Sequence, residues 1–251
     1  AAAALLVAFD FTLVLVTGED SAFPADRTTQ NAAEVWTDEA LGALPHRSLL
    51  LVRSETVAWR LWAARVARGE RPDVVVVPLP LLGRGSVASK LIQMEPALAP
   101  LIRDIAVSGQ PSESALSSLA DARPLYVELD PSWDKRLVDH LIPKPFWLRF
   151  APHAYGRSDR TASLEKGRRP FKRVLDAAQA PEHKDRATLT MLSARAQEQA
   201  IALAALGDRE SVSELVGDLR SIDPDHPFAI EMDARMKKQA KGRIDVSGLL
   251  Q

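Results

Sequence analysis

Two apolar runs of strand length, joined by a helix-patterned segment, constrain this chain more than any other feature. The first, Leu49–Val52 (LLLV), carries no breaker and follows the stop at Leu44 and Pro45, so it predicts a strand buried on both faces. Residues 55–68 place Ala58, Leu61, Trp62 and Arg65 on one helical face and end at Gly69, where a left-handed cap costs little. Arg71-Pro72-Asp73 cannot extend that helix, because proline lacks the amide donor and forces its predecessor toward extended geometry. Residues 74–77 are four valines leading to Leu79, as a strand covered by helices on both sides requires. Two such strands and their helix, over about 30 residues, make a βαβ unit, which is parallel and right-handed nearly always.

The flanking sequence extends that unit. Upstream, residues 28–44 carry Ala33, Trp36, Ala40 and Leu44 on one helical stripe. Downstream, Pro78 and Pro80 mark the exit from the second strand, and helical patterns follow over 95–110 and 112–119, the latter capped by Ser112 or Ser114. Residues 125–129 (LYVEL) alternate as a third strand, ending at Asp130-Pro131. Residues 146–150 (FWLRF) are a fourth strand whose nearby prolines and Arg149 place it at an edge. From Asp185 the period is helical, over 187–206, 211–222 and 228–238. The expected class is α/β: a small parallel, Rossmann-like sheet with flanking helices over residues 28–151, a basic linker over 152–184 and a helical tail over 185–251. One helix pair cannot bury its own face, so the tail must pack on the sheet, on a partner or on further repeats.

Residues 1–18 precede this unit and are apolar apart from Asp10, Thr12, Thr17 and Gly18. A spanning helix needs about 20 apolar residues, so the segment reads as the last part of one. No positive stretch precedes it and 17–19 make a poor cleavage site, which argues against a secretory signal. The alternation of Phe9, Phe11, Leu13 and Leu15 also suits a buried core element, and Asp10 is a costly residue to place in hydrocarbon. Residues 18–27 are polar and turn-rich, a natural hinge.

Composition excludes several chemistries. The 251 residues contain no cysteine, which removes disulfides, thiolate metal sites and cysteine nucleophiles. A formal net charge of -1 supplies no field to recruit nucleic acid. Locally, residues 152–173 hold His153, Arg157, Arg160, Lys166, Arg168, Arg169, Lys172 and Arg173; without interleaved aromatics they read as a solvated linker rather than a phosphate-binding patch. The five histidines are scattered, and G-x-S-x-G is absent. Neither a cofactor nor a metal is implied, and no catalytic residue is assigned.

A few positions remain as ligand or partner candidates. Gly83, Gly85 and Ser86 open a short helix reaching Met94, written G-x-G-x-x-A. It imitates the dinucleotide fingerprint but follows the second strand of its unit, and the acid about 20 residues on, Asp104, lies in a helical pattern. Glu55 and Asp130 sit just after the first and third strands, at the edge where open α/β sheets place ligands. Trp59 and Trp62, three apart on the helix, suit a core or a docking surface.

The order Leu44-Pro45, LLLV, the helix containing Trp59 and Trp62, Gly69-x-Arg71-Pro72-Asp73-Val74 and later RPLYVEL resembles a membrane family. These are bacterial multi-spanning proteins of uncharacterised function similar to the transmembrane protein O-mannosyltransferase, of the GT-C glycosyltransferase class. The resemblance covers residues 1–150 and implies an extracytoplasmic (periplasmic-side) soluble region after the last spanning helix of a membrane protein. It also implies that the reactive machinery lies upstream, with acceptor protein or lipid-linked sugar as partners and no nucleic acid. The family has a polar Asp- or Asn-bearing turn after the first strand, where this chain has Arg53-Ser54-Glu55-Thr56. Separately, LGDRESVSELVGDLRSIDPDHPFA resembles the second half of a tetratricopeptide repeat, with Gly207-Asp208 at the inter-helix turn and Asp223-Pro224 at the exit. The function expected is a non-catalytic domain positioning acceptor or partner proteins. Its rivals are a soluble Rossmann-like nucleotide- or nucleotide-sugar-binding enzyme using residues 83–86, and a structural adaptor acting through the tail.

Overall fold

A computed structural model describes residues 31–130, 132–133, 135–162, 169–180, 184–239, 241–246 and 248–249. The apolar segment expected over residues 1–18 lies outside these. The chain is α/β. Helix α1 (Asn31–Gly42) leads into β1 (Leu49–Val52), α2 (Glu55–Arg68) and β2 (Val75–Pro78). Then come α3 (Gly85–Met94), α4 (Ala99–Ser108), α5 (Glu113–Ala122) and β3 (Leu125–Val127). Strands β4 (Leu141–Pro143) and β5 (Leu148–Phe150) follow, and after them α6 (Arg157–Ala162), α7 (Arg169–Gln179), α8 (Arg186–Leu206), α9 (Arg209–Ile222) and α10 (Pro227–Lys238).

The βαβ unit forms where the sequence places it. Ser54 caps α2 by accepting from the Val57 amide, and Gly69 ends it at φ 66°, a conformation that penalises any residue with a Cβ. The sheet order is β2-β1-β3-β5-β4. β1 is central in the parallel part, with Leu49 aligned to Val75 on one side and to Leu125 on the other. All four of its residues are inaccessible, which is why the run is apolar without alternation. The expectation of a wholly parallel sheet is corrected by β5 and β4, which pair antiparallel with β3 and with each other, Leu125 and Leu141 both facing Phe150. β5 is therefore not an edge: Pro143-Lys144-Pro145, which reads as a breaker, instead closes a hairpin and leaves β4 outside.

The hydrophobic core is continuous from Ala32 to Ile244. Trp36 on α1 meets Phe146 and Trp147 edge-on, with ring centroids 5.6 and 6.2 Å away, and the Trp147 indole donates to Ala40 O at 2.7 Å. Within residues 152–184, α7 buries Phe171, Val174, Leu175 and Ala178, and Arg160 is buried, donating to Val138 O and to Asp139. Helix α8 is the most enclosed element, with buried residues all round its circumference, as a helix sandwiched between layers must be. Asp185 caps its start and Gly207, at φ 82°, ends it. Of the packings open to the tail, α8 takes the sheet, while α9 and α10 extend outward from it.

The amino edge of the parallel strands is held by arginines. Arg71, at φ 40°, donates through Nη1 to Leu41 O and Leu44 O, through Nη2 to Pro45 O, and through Nε and Nη2 to Asp73. Asp73 also accepts from the Arg47 amide at 2.8 Å, and these bonds, led by that from Arg71, hold its carboxyl well below the usual range. Arg123 donates to Arg47 O and Asp73 O and pairs with Glu95. The Arg-Pro-Asp motif is thus a clasp that closes α1 onto the sheet.

Candidate functional site

At the opposite, carboxyl edge, an open α/β sheet binds ligands where connections from neighbouring strands diverge. Here that place lies between β1 and β3, since β1 continues toward β2 on one side and β3 toward β5 on the other. The crevice is filled by the chain itself. Glu128 follows β3 directly, and its Oε2 accepts from the amides of Arg53 and Ser54 at 2.5 and 2.7 Å. Those amides open α2, so Glu128 occupies the position at a helix start that favours an anion.

Helix α8 covers the crevice with two further charges. Arg195 Nη2 lies 3.1 Å from Glu128 Oε1 and donates to Glu198 Oε1 at 2.6 Å. Glu198 Oε2 accepts from the Leu129 amide at 3.1 Å. The Arg195 guanidinium also rests 5.3 Å from the Trp147 ring centroid, a favourable cation–π placement. Glu128, Arg195 and Glu198 are 0, 4 and 7% exposed. Burial pushes the Glu198 carboxyl up to about 7; Arg195 opposes that rise and Glu128 adds to it. Glu128 Oε1 and Arg195 Nε are buried without a hydrogen-bond partner among the described residues.

The positions singled out from sequence do not converge on this cluster. Glu55 is the first residue of α2 and exposed, where its charge complements the helix dipole. Asp130 accepts from the Ser132 amide and hydroxyl in a turn. Gly83, Gly85 and Ser86 are exposed, follow the edge strand β2 and start α3. A Cβ on Gly83 or Gly85 would meet nothing within 4 Å, so neither glycine serves a close approach within the chain. Asp104 accepts from the amide and hydroxyl of Ser112, joining α4 to α5. Trp59 is 52% exposed; Trp62 packs edge-on to it at 5.2 Å and donates its indole N–H to Val76 O, closing the β2 edge.

A second feature is an open hollow of about 470 Å³ lined by Glu113, Ser117, Asp121, His140, Pro152 and His153, among others. His140 is buried, with Nδ1 2.8 Å from Ala151 O and Nε2 3.3 Å from Glu113; its ring stacks on Phe150 at 4.7 Å. Among the described residues no group of three His, Asp or Glu side chains could hold a metal ion, and no helix is long and apolar enough to cross a membrane.

Sequence reasoning missed Glu128, Arg195 and Glu198. The signal was a carboxylate within the buried strand LYVEL, and an Arg and Glu three apart in a long helix that past Arg186 carries no other charge. No family model matches the chain, no curated protein matches it, and no solved structure matches it.

Proposed function

We propose that the chain is a non-catalytic contact module in which the α/β sheet is a scaffold and the exposed face of α2 meets a partner. The observation that carries this reading is the Glu128 carboxylate: it occupies the β1/β3 crevice where a sheet of this kind would receive a ligand's anionic group. The outward face of α2 carries Trp59 and Val66, 52 and 87% exposed, and apolar residues so placed suit a protein contact. The sequence resemblance to the soluble region of O-mannosyltransferase-like membrane proteins supplies the setting: an extracytoplasmic domain that positions acceptor or partner proteins beside a glycosyl-transfer core. In that setting the parallel β1–β3 core is the Rossmann-like part, and α8 to α10 are the tetratricopeptide-like tail.

Two measurements test this. Calorimetry with nucleoside diphosphates and nucleotide-sugars is expected to show no saturable heat. A saturable heat that Gly85→Val abolishes would instead favour a nucleotide-binding enzyme, and the space around Gly85 makes that variant compatible with the fold. Trp59→Ser is expected to prevent this chain, expressed on its own, from co-purifying with a separately expressed membrane-embedded part of the same protein, and undiminished association would overturn the assignment of the α2 face.

A further inference from the structure

The Glu128–Arg195–Glu198 cluster holds two carboxyls and one guanidinium out of water. Each carboxyl commits one oxygen to backbone: Glu128 Oε2 to the Arg53 and Ser54 amides, Glu198 Oε2 to the Leu129 amide. The remaining two oxygens, Glu128 Oε1 and Glu198 Oε1, converge on the same Arg195 Nη2, at 3.1 and 2.6 Å. Only the Glu198 contact has hydrogen-bond geometry, so Glu128 Oε1 is ion-paired but has no hydrogen-bond donor among the described residues. A buried carboxylate in that state is costly. Two negative charges sharing one positive partner in a low-dielectric site favour retention of one proton.

We propose that Glu128 and Glu198 share a single proton at neutral pH, and that this proton latches α8 to the carboxyl edge of the sheet. The proton resides on Glu198, the carboxyl that burial pushes up, while Glu128 Oε2 is taken up by the Arg53 and Ser54 amides. It supplies the donor that Glu128 Oε1 lacks. The charged groups acting on Glu198 are Arg195 on its own helix, Glu128 after β3 and Arg53 after β1. Loss of the proton leaves two carboxylates facing each other across the α8–sheet contact, with Arg195 unable to neutralise both.

The sign follows from the direction of the shift. Glu198 is raised from an ordinary 4.5 to about 7 in the folded chain, so folding takes up a proton between those values. The associated stability is fully present below the unfolded pKa and is lost as pH rises through about 7. At the contact, the latch loosens on the alkaline side.

The experiment is native-state hydrogen exchange and urea unfolding of the whole chain, wild type and Glu198→Gln, from about pH 5 to about pH 8.5. Glutamine keeps a carbonyl for the Leu129 N–H and turns an N–H toward Glu128 Oε1 as the protonated acid would, giving up only the acceptor that Glu198 Oε1 offers Arg195. Wild type is expected to lose protection at Leu129 and along α8, relative to Glu198→Gln, by about tenfold per pH unit as pH rises from about 5 toward about 7, and to level off above that. An identical pH dependence in the two chains overturns the proposal, as does a loss spread equally over α2 and the arginine clasp. Should Glu198→Gln fail to fold, the infrared carbonyl band of a protonated carboxylic acid in the wild-type chain decides. It must be present near pH 6 and absent near pH 8.5, and its absence near pH 6 overturns the shared proton.

Discussion

Replacing Arg71 should show how much of the fold rests on its amino-edge clasp. The guanidinium makes N–H bonds of 2.7 Å to Leu41 O, 2.7 Å to Leu44 O and 2.8 Å to Pro45 O, and two of 3.0 Å to Asp73. Its side chain is 28% exposed, so water replaces part of what Arg71→Ala removes. At about 1 kcal/mol net for each of the three carbonyls, and less for the partly solvated ion pair, the loss is about 3 kcal/mol. For a chain of this size that lowers the unfolding temperature by roughly 6–12 °C. Arg71→Lys keeps the charge but cannot span three carbonyls and a carboxylate, so it should recover only about 1 kcal/mol of that loss. The backbone term is separable: at φ 40° any residue with a Cβ is strained, so Arg71→Gly should be about 1 kcal/mol more stable than Arg71→Ala. Urea unfolding of the three variants measures all of this. A loss below about 1 kcal/mol for Arg71→Ala, or a lysine variant equal to wild type, would refute the clasp.

The same clasp predicts an acid limb. Asp73 is held below its ordinary pKa chiefly by Arg71, so its contribution is present above the unfolded value and is lost as pH falls; in Arg71→Ala the stability-pH curve should be flatter on the acid side. Glu128→Ala leaves the Arg53 and Ser54 amides without their acceptor and Arg195 with one carboxyl fewer, and should cost about 3–5 kcal/mol in urea unfolding. Trp147→Phe keeps a six-membered ring but removes the donor to Ala40 O and leaves a gap where the buried indole was, for a cost of about 2–3 kcal/mol by the same measurement. Trp59→Ser should cost about 1–2 kcal/mol in thermal unfolding, because the half-exposed indole still packs edge-on against Trp62.

What the sequence disclosed, and what it withheld, follows from the range of the forces involved. β1, α2, α8 and their terminal caps are local matters: a run of β-branched or leucine residues, a serine or aspartate before a helix, a glycine after it. Hence α2 was legible to the residue. The β4–β5 hairpin was not, because Pro143 and Pro145 read as breakers until the ladder is known, and Pro143 is admitted only because β4 lies at an edge. Helix α7 was hidden for a different reason. Its apolar positions, Phe171, Val174, Leu175 and Ala178, are interleaved with the charges that made the stretch look like a linker. The carboxyl-edge cluster was the least legible, since Glu128 and Glu198 are 70 positions apart in sequence and meet only through the packing of α8.

That packing also explains why the cluster is polar when an apolar core would be more stable. Replacing a buried ion pair by hydrocarbon is often neutral or favourable, but here each carboxyl also satisfies backbone: two amides at the start of α2 and one after β3. Leucine at 128 or 198 would strand those amides, at about 1–3 kcal/mol each, so the backbone itself demands acceptors at both positions. Two acceptors that are acids require a counter-charge, which Arg195 supplies, and Arg195 in turn rests on Trp147. The sequence of demands runs from strand ends to carboxyls to arginine to indole, and it fixes the rotation of α8 about its axis. A helix buried on all sides has no apolar stripe to set that rotation, and one polar cluster sets it instead.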